Sequence, residues 1–113
     1  MLTDMRYALA ALALITLSPT ARAATAQCLI QVEGKTYVEG RCPVFLMGST
    51  TMVGSDGEGR FSPYFASISE NPDGSAEGRW SSVPRSTHAQ TDLGSLKRDG
   101  HCWVNATAKI CAK

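Results

Sequence analysis

The sequence predicts a mainly β fold: a small antiparallel meander or partly closed barrel with two disulfides and at most one short helix. Three observations predict it. The four cysteines, Cys28, Cys42, Cys102 and Cys111, all follow an export-type leader and are even in number. Runs rich in β-branched and aromatic residues flank turn dipeptides ending in glycine, such as Glu33-Gly34 and Asp99-Gly100. The stretch from Cys102 to Cys111 alternates strictly, with the period of a strand that has one buried face.

The leader comes first. Arg6 supplies its positive charge, and residues 7–17 form an apolar run too short for a membrane-spanning helix. Pro19 breaks that run, and Ala21-Arg22-Ala23 places small side chains where a signal peptidase inspects them. Residues 1–23 are therefore expected to be a signal peptide cleaved after Ala23, with a cut after Ala26 the weaker alternative. Residues 24–113 make a single domain. Gln27, bulky and directly before Cys28, argues against a lipid-modified cysteine.

Removing 23 residues from 113 leaves 90, enough for one small core. Arg6, Arg22 and Asp4 go with the leader, so nine basic and nine acidic residues remain. That balance gives no electrostatic footprint for nucleic acid or for anionic lipid, and neither nucleic acid nor membrane is expected as a partner after signal cleavage. A domain of this size gains much from cross-links worth ~2–4 kcal/mol each, set against a net stability of ~5–10 kcal/mol. A zinc site is disfavoured because the cysteines form no C-x-x-C pair. Neither metal nor cofactor is expected.

Cys28 to Val32 and Lys35 to Val38 read as a tight hairpin about Glu33-Gly34. In that register Ile30 opposes Tyr37, and Cys28, Ile30, Val32 and Tyr37 face the core. Glu39-Gly40 marks a turn, after which residues 43–47 supply a third strand. The Gly-, Ser- and Thr-rich stretch from Gly48 to Gly59 reads as a loop; it lacks both the phosphate-cradling pattern and the repeated oxygen ligands of a calcium loop. Residues 64–69 and 75–80 form a second hairpin around Asn71-Pro72-Asp73-Gly74, setting Phe65 opposite Trp80. Ser81 to Gln90 is polar and irregular, with Thr87 and Gln90 placed as a capping box for a short helix reaching Gly94.

A third hairpin joins residues 93–96 to the Cys102 segment through Lys97-Arg98-Asp99-Gly100. A straight strand from Cys102 to Cys111 holds the two ~30 Å apart, beyond the ~7 Å a disulfide tolerates. The clean alternation thus favours crossed pairings with Cys28 and Cys42. The alternative is a turn at Asn105-Ala106-Thr107-Ala108, which joins Cys102 to Cys111 and Cys28 to Cys42. Asn105-Ala106-Thr107 also fits a glycosylation sequon, read as accidental beside a bacterial-type leader.

No motif carries identifiable chemistry. Ser86, His88 and Asp92 include the residue types of a hydrolase triad, but Ser86 lacks the G-x-S-x-G elbow that presents a nucleophile. His101 and Cys102 are strand neighbours and point to opposite faces. Trp80 and Trp103 are candidate contact residues, because amphipathic rings dominate binding hot spots, although so small a domain also needs its aromatics inside. His88 is the third candidate contact.

The closing run from Leu93 to Asn105, with Ile110-Cys111-Ala112, resembles small exported bacterial proteins of unassigned function with a four-cysteine framework, as does the run from Cys28 to Tyr37. The resemblance supports the disulfides and implies no activity. The expected role is a periplasmic or extracellular binding module that recognises another protein, or an inhibitor of one, rather than an enzyme. Two other classes stand beside it: a hydrolase of cell-wall or carbohydrate substrates using His88 and Asp92, and a structural envelope protein.

Overall fold

A computed structural model of the protein describes residues 21–113. Of the expected signal peptide, residues 1–20 lie outside the described residues. The described residues form eight antiparallel strands in sequential order, and the last closes on the first. They are β1 (Arg22–Val32), β2 (Lys35–Met47), β3 (Thr50–Ser55), β4 (Phe61–Glu70), β5 (Ser75–Trp80), β6 (Thr91–Asp99), β7 (Cys102–Val104) and β8 (Ala108–Ala112). The fold is a closed barrel with two disulfides and, among the described residues, no helix.

The first hairpin turns at Glu33-Gly34, where φ is +54° and +78°, the doubly left-handed pair that matches the twist of the flanking strands. Its register shifts once. Gln31 faces Thr36, but Ile30 faces Val38, so the expected Ile30–Tyr37 pair is replaced and Tyr37 becomes the extra residue of a β-bulge. The bulge lets Tyr37 and Val38 both pack against the core. Nor does β2 end at Gly40: with φ at +121° this glycine takes up a bend, and the strand continues to Met47 as one element. Arg22 and Ala23, upstream of the expected cleavage point, pair with Leu46 and Phe45.

The segment expected to be a loop contains β3. Its Gly, Ser and Thr content hides a strand whose Val53 is inward and opposite Val44. A Cβ on Gly54 would lie 2.8 Å from the Tyr64 carbonyl oxygen and 2.9 Å from the Phe65 Cβ, so glycine is there to admit β4. Only the region around residues 56–60 is a true loop. Asp56 organises it, accepting N–H bonds from Glu58 at 2.7 Å and Arg60 at 2.9 Å. These bonds, led by that from Arg60 and aided by its charge, hold the Asp56 carboxyl below its ordinary value.

In the β4–β5 hairpin Ala66, not Phe65, faces Trp80. Asn71 already pairs with Ser75 through its N–H at 2.8 Å, leaving Pro72, Asp73 and the left-handed Gly74 as the connection. The loop is one residue shorter than the sequence suggested, and a one-residue slip turns Phe65 to the other face.

The expected short helix after Thr87 is absent; residues 91–94 are strand. Leu93 and Leu96, three apart, both reach the core because the β5–β6 register shifts between Gly78 and Arg79. A bulge has imitated helical spacing.

β7 and β8 correct the crossed pairing. The chain turns at Asn105, whose Oδ1 accepts the N–H groups of Thr107 at 2.8 Å and Ala108 at 2.7 Å while Nδ2 donates to the carbonyls of Leu93 and Ser95 at 2.8 and 3.1 Å. All four hydrogen-bonding positions of one amide are thus used to fold the hairpin back and fasten it to β6. Cys102 then faces Cys111 and is bonded to it, and Cys28 is bonded to Cys42 with Cα atoms 5.9 Å apart. Two disulfides are typical of proteins that live in oxidising compartments.

Candidate binding surface

The two ends of the barrel are filled differently. At one, Trp80 packs edge-on against Tyr37 with ring centroids 4.6 Å apart and stacks on Tyr64 at 5.9 Å. Trp80 is 5% exposed, so its ring belongs to the interior. Trp103, 8% exposed, faces inward from β7 between Arg98 and Ile110. The Arg98 guanidinium lies 5.1 Å from the Trp103 ring centroid. Neither tryptophan is available as a surface contact in this arrangement, because eight strands enclose a space that aromatic rings are needed to fill.

Ser86, His88 and Asp92 are near one another in sequence but are not joined as a triad. The Ser86 hydroxyl bonds to the backbone of His88, His88 Nδ1 lies 3.2 Å from Thr87 Oγ1, and Asp92 accepts the N–H of Gly94 at 3.0 Å. Each side chain is spent on its own turn. His88 is exposed on the segment between β5 and β6.

That segment is irregular yet fastened at several points. Ser81, fully buried, donates its N–H to the Phe65 carbonyl at 3.0 Å and accepts the Phe65 N–H on its hydroxyl at 3.1 Å. The Arg85 N–H reaches the Pro63 carbonyl at 2.8 Å, and the Ser82 and Thr91 hydroxyls meet at 2.7 Å. Farther on, Arg79 donates from Nε and Nη2 to the carbonyls of Ala89 and Gln90, each at 3.0 Å. Phe65, turned away from the main core, packs its ring on Phe61 at 4.8 Å.

These ties hold two residues in a left-handed conformation that only glycine adopts without cost: Ser82 at φ +50° and Arg85 at +65°. Between them Val83 stands 53% exposed. A valine held outward by a strained and tethered backbone is an unusual use of a β-branched apolar residue. Sequence reasoning missed it. Ser81 to Gln90 reads as polar, and neither the left-handed backbone nor the ties to Pro63 and Phe65 leave a compositional mark. No family model, no curated protein and no solved structure matches this chain.

Proposed function

We propose that the protein is an exported binding module, periplasmic or secreted, that recognises another protein through the Ser82–Arg85 projection. The observation that carries this reading is the presentation of Val83 between two left-handed residues, Ser82 tied to β6 through its hydroxyl on Thr91 and Arg85 tied to β4 through its N–H on the Pro63 carbonyl. Association is penalised by the entropy of ordering loops, and a projection ordered in advance avoids most of that cost. Small rigid apolar anchors of this kind enter pockets on a partner, which is how an inhibitor would engage its target. The leader-like residues 1–23 and the two disulfides support an oxidising location outside the cytoplasm.

The test is comparative. The oxidised protein is immobilised, exposed to periplasmic and extracellular extract, and set beside Val83→Asp and Arg85→Ala. A partner held by the wild type should be weakened about tenfold or more by Val83→Asp, with the thermal transition of the variant unchanged. Retention that ignores both substitutions, or no retained partner, would remove the projection from consideration.

A further inference from the structure

The end of the barrel opposite the Tyr37–Trp80 aromatic cluster holds a cavity of about 420 Å³, within the range of small-ligand sites. Its walls are Val44, Val53, Ile68, Trp103 and Ile110, all buried core residues. The space has a cause in the sequence. Toward this end of the barrel β2 and β3 turn Val44 and Val53 inward, whereas β1 and β8 supply only Ala24, Ala26 and Ala112 beyond Ile30 and Ile110, and nothing larger fills the gap. Leu46, 40% exposed, continues the apolar surface to the rim, and Met47 beside it is 56% exposed.

Two cationic side chains, Arg98 and Lys113, line the rim together with His101, against Glu70 as the one acidic side chain. Arg98 is held in place: its Nε donates to the Gly100 carbonyl at 2.8 Å and its guanidinium lies against Trp103. Its terminal amino groups have no hydrogen-bond or ion-pair partner among the described residues. A guanidinium so held at the edge of an apolar space, unpaired among the described residues, presents a planar fork suited to a carboxylate.

We propose that this open end binds a single-chain amphiphile with an anionic head, a medium-chain fatty carboxylate, with the chain in the cavity and the carboxylate on Arg98. Size fixes the class. A cavity of ~150 Å³ accommodates benzene, so the present volume accommodates roughly 16 non-hydrogen atoms, a chain of about twelve carbons with its head and no second acyl chain. The site is at the other end of the barrel from the Val83 projection and stands independently of it.

Trp103 provides the reading. Dodecanoate, below its micelle concentration, is titrated into the oxidised protein while tryptophan emission is followed, with dodecanol and dodecyltrimethylammonium in parallel. Dodecanoate should bind one to one, more tightly than dodecanol, and the cation should not bind. Arg98→Gln, at an exposed position, should weaken dodecanoate tenfold to a hundredfold and leave dodecanol unchanged. Ala26→Leu should fill the cavity and reduce both, and Ala24→Leu, at a more exposed rim position, gives the same reading if Ala26→Leu does not fold. Val83→Asp should alter neither. No saturable change with dodecanoate, equal affinity for acid and alcohol in the wild type, or binding undiminished by the leucine substitutions would overturn the proposal. Emission changes produced only by diacyl vesicles would do so too.

Discussion

Replacing Asn105 by alanine removes four hydrogen bonds at once, two that form the β7–β8 turn and two that tie it to β6. The bonds to Thr107 and to the Ser95 carbonyl lie toward solvent and are each worth toward the low end of ~0.5–1.5 kcal/mol net, whereas that to Ala108 is partly buried. The bond to the Leu93 carbonyl is partly buried, and its loss leaves an acceptor less accessible to water. Together the cost is about 2–4 kcal/mol, a large share of what a domain this size possesses, and the midpoint of thermal unfolding should fall on the order of 10–20 °C. Asn105→Asp separates the two roles: it keeps the acceptor for the turn but sets a second oxygen against the carbonyls of Leu93 and Ser95. It should be at least as damaging as alanine at neutral pH. Urea and thermal unfolding of the oxidised proteins, followed by circular dichroism, measure both. A loss under about 0.5 kcal/mol for alanine, or near-native stability for aspartate, would show that the turn does not depend on this amide.

Other outcomes follow from the same geometry. A non-reduced tryptic digest should yield the Cys28 peptide joined to the Cys42 peptide and the Cys102 peptide joined to the Cys111 peptide; a Cys28–Cys102 species would contradict the fold. Removing the pairs by double serine substitution should cost about 3 kcal/mol for Cys28–Cys42 and about 2.5 kcal/mol for Cys102–Cys111, since the loops span 14 and 9 residues. Gly54→Ala should cost about 2–4 kcal/mol in denaturant, because the added methyl meets the β4 backbone and φ at +96° resists a side chain. Asp56 should titrate by NMR below 3.8, because the Arg60 and Glu58 N–H bonds favour its charged form. Its contribution to the 56–60 loop is therefore present above the ordinary aspartate range and is lost as pH falls through the lowered value, seen as faster amide exchange at Glu58 and Arg60. A midpoint at or above 3.8 would refute it.

Much of the barrel could be read from local signals. Glu33-Gly34 and Pro72-Asp73-Gly74 are turn chemistry, and each makes a turn; the third turn falls one residue later than Asp99-Gly100 implies, at Gly100-His101, because Asp99 still pairs with Cys102. What misled was register. The bulges at Tyr37 and Leu93 and the short loop after Asn71 each displace the pairing by one residue, and the period of two converts every such shift into a change of face. β3 was hidden because a strand that must admit its neighbour closely uses glycine, the residue that otherwise signals a loop. The strict alternation from Cys102 to Cys111 concealed a turn because Asn105 makes it with a side chain, leaving the hydrophobic pattern intact. The Val83 projection and the cavity were out of reach for a further reason. Both arise from residues far apart in the chain, the one from ties to Pro63 and Phe65, the other from alanines of β1 and β8 facing Ile68.

The two disulfides pair the cysteines in their order of appearance, first with second and third with fourth. Under the proposed export, a chain threaded N-terminus first into an oxidising space would deliver Cys28 and Cys42 together, long before Cys102 arrives, so an oxidase that joins thiols as they emerge would make the native bonds. Nothing has to be reshuffled afterwards. The first bond can form while β1 still awaits β8; the second needs Cys111 of β8 itself, so it and the closing β1–β8 ladder both wait for nearly the whole chain.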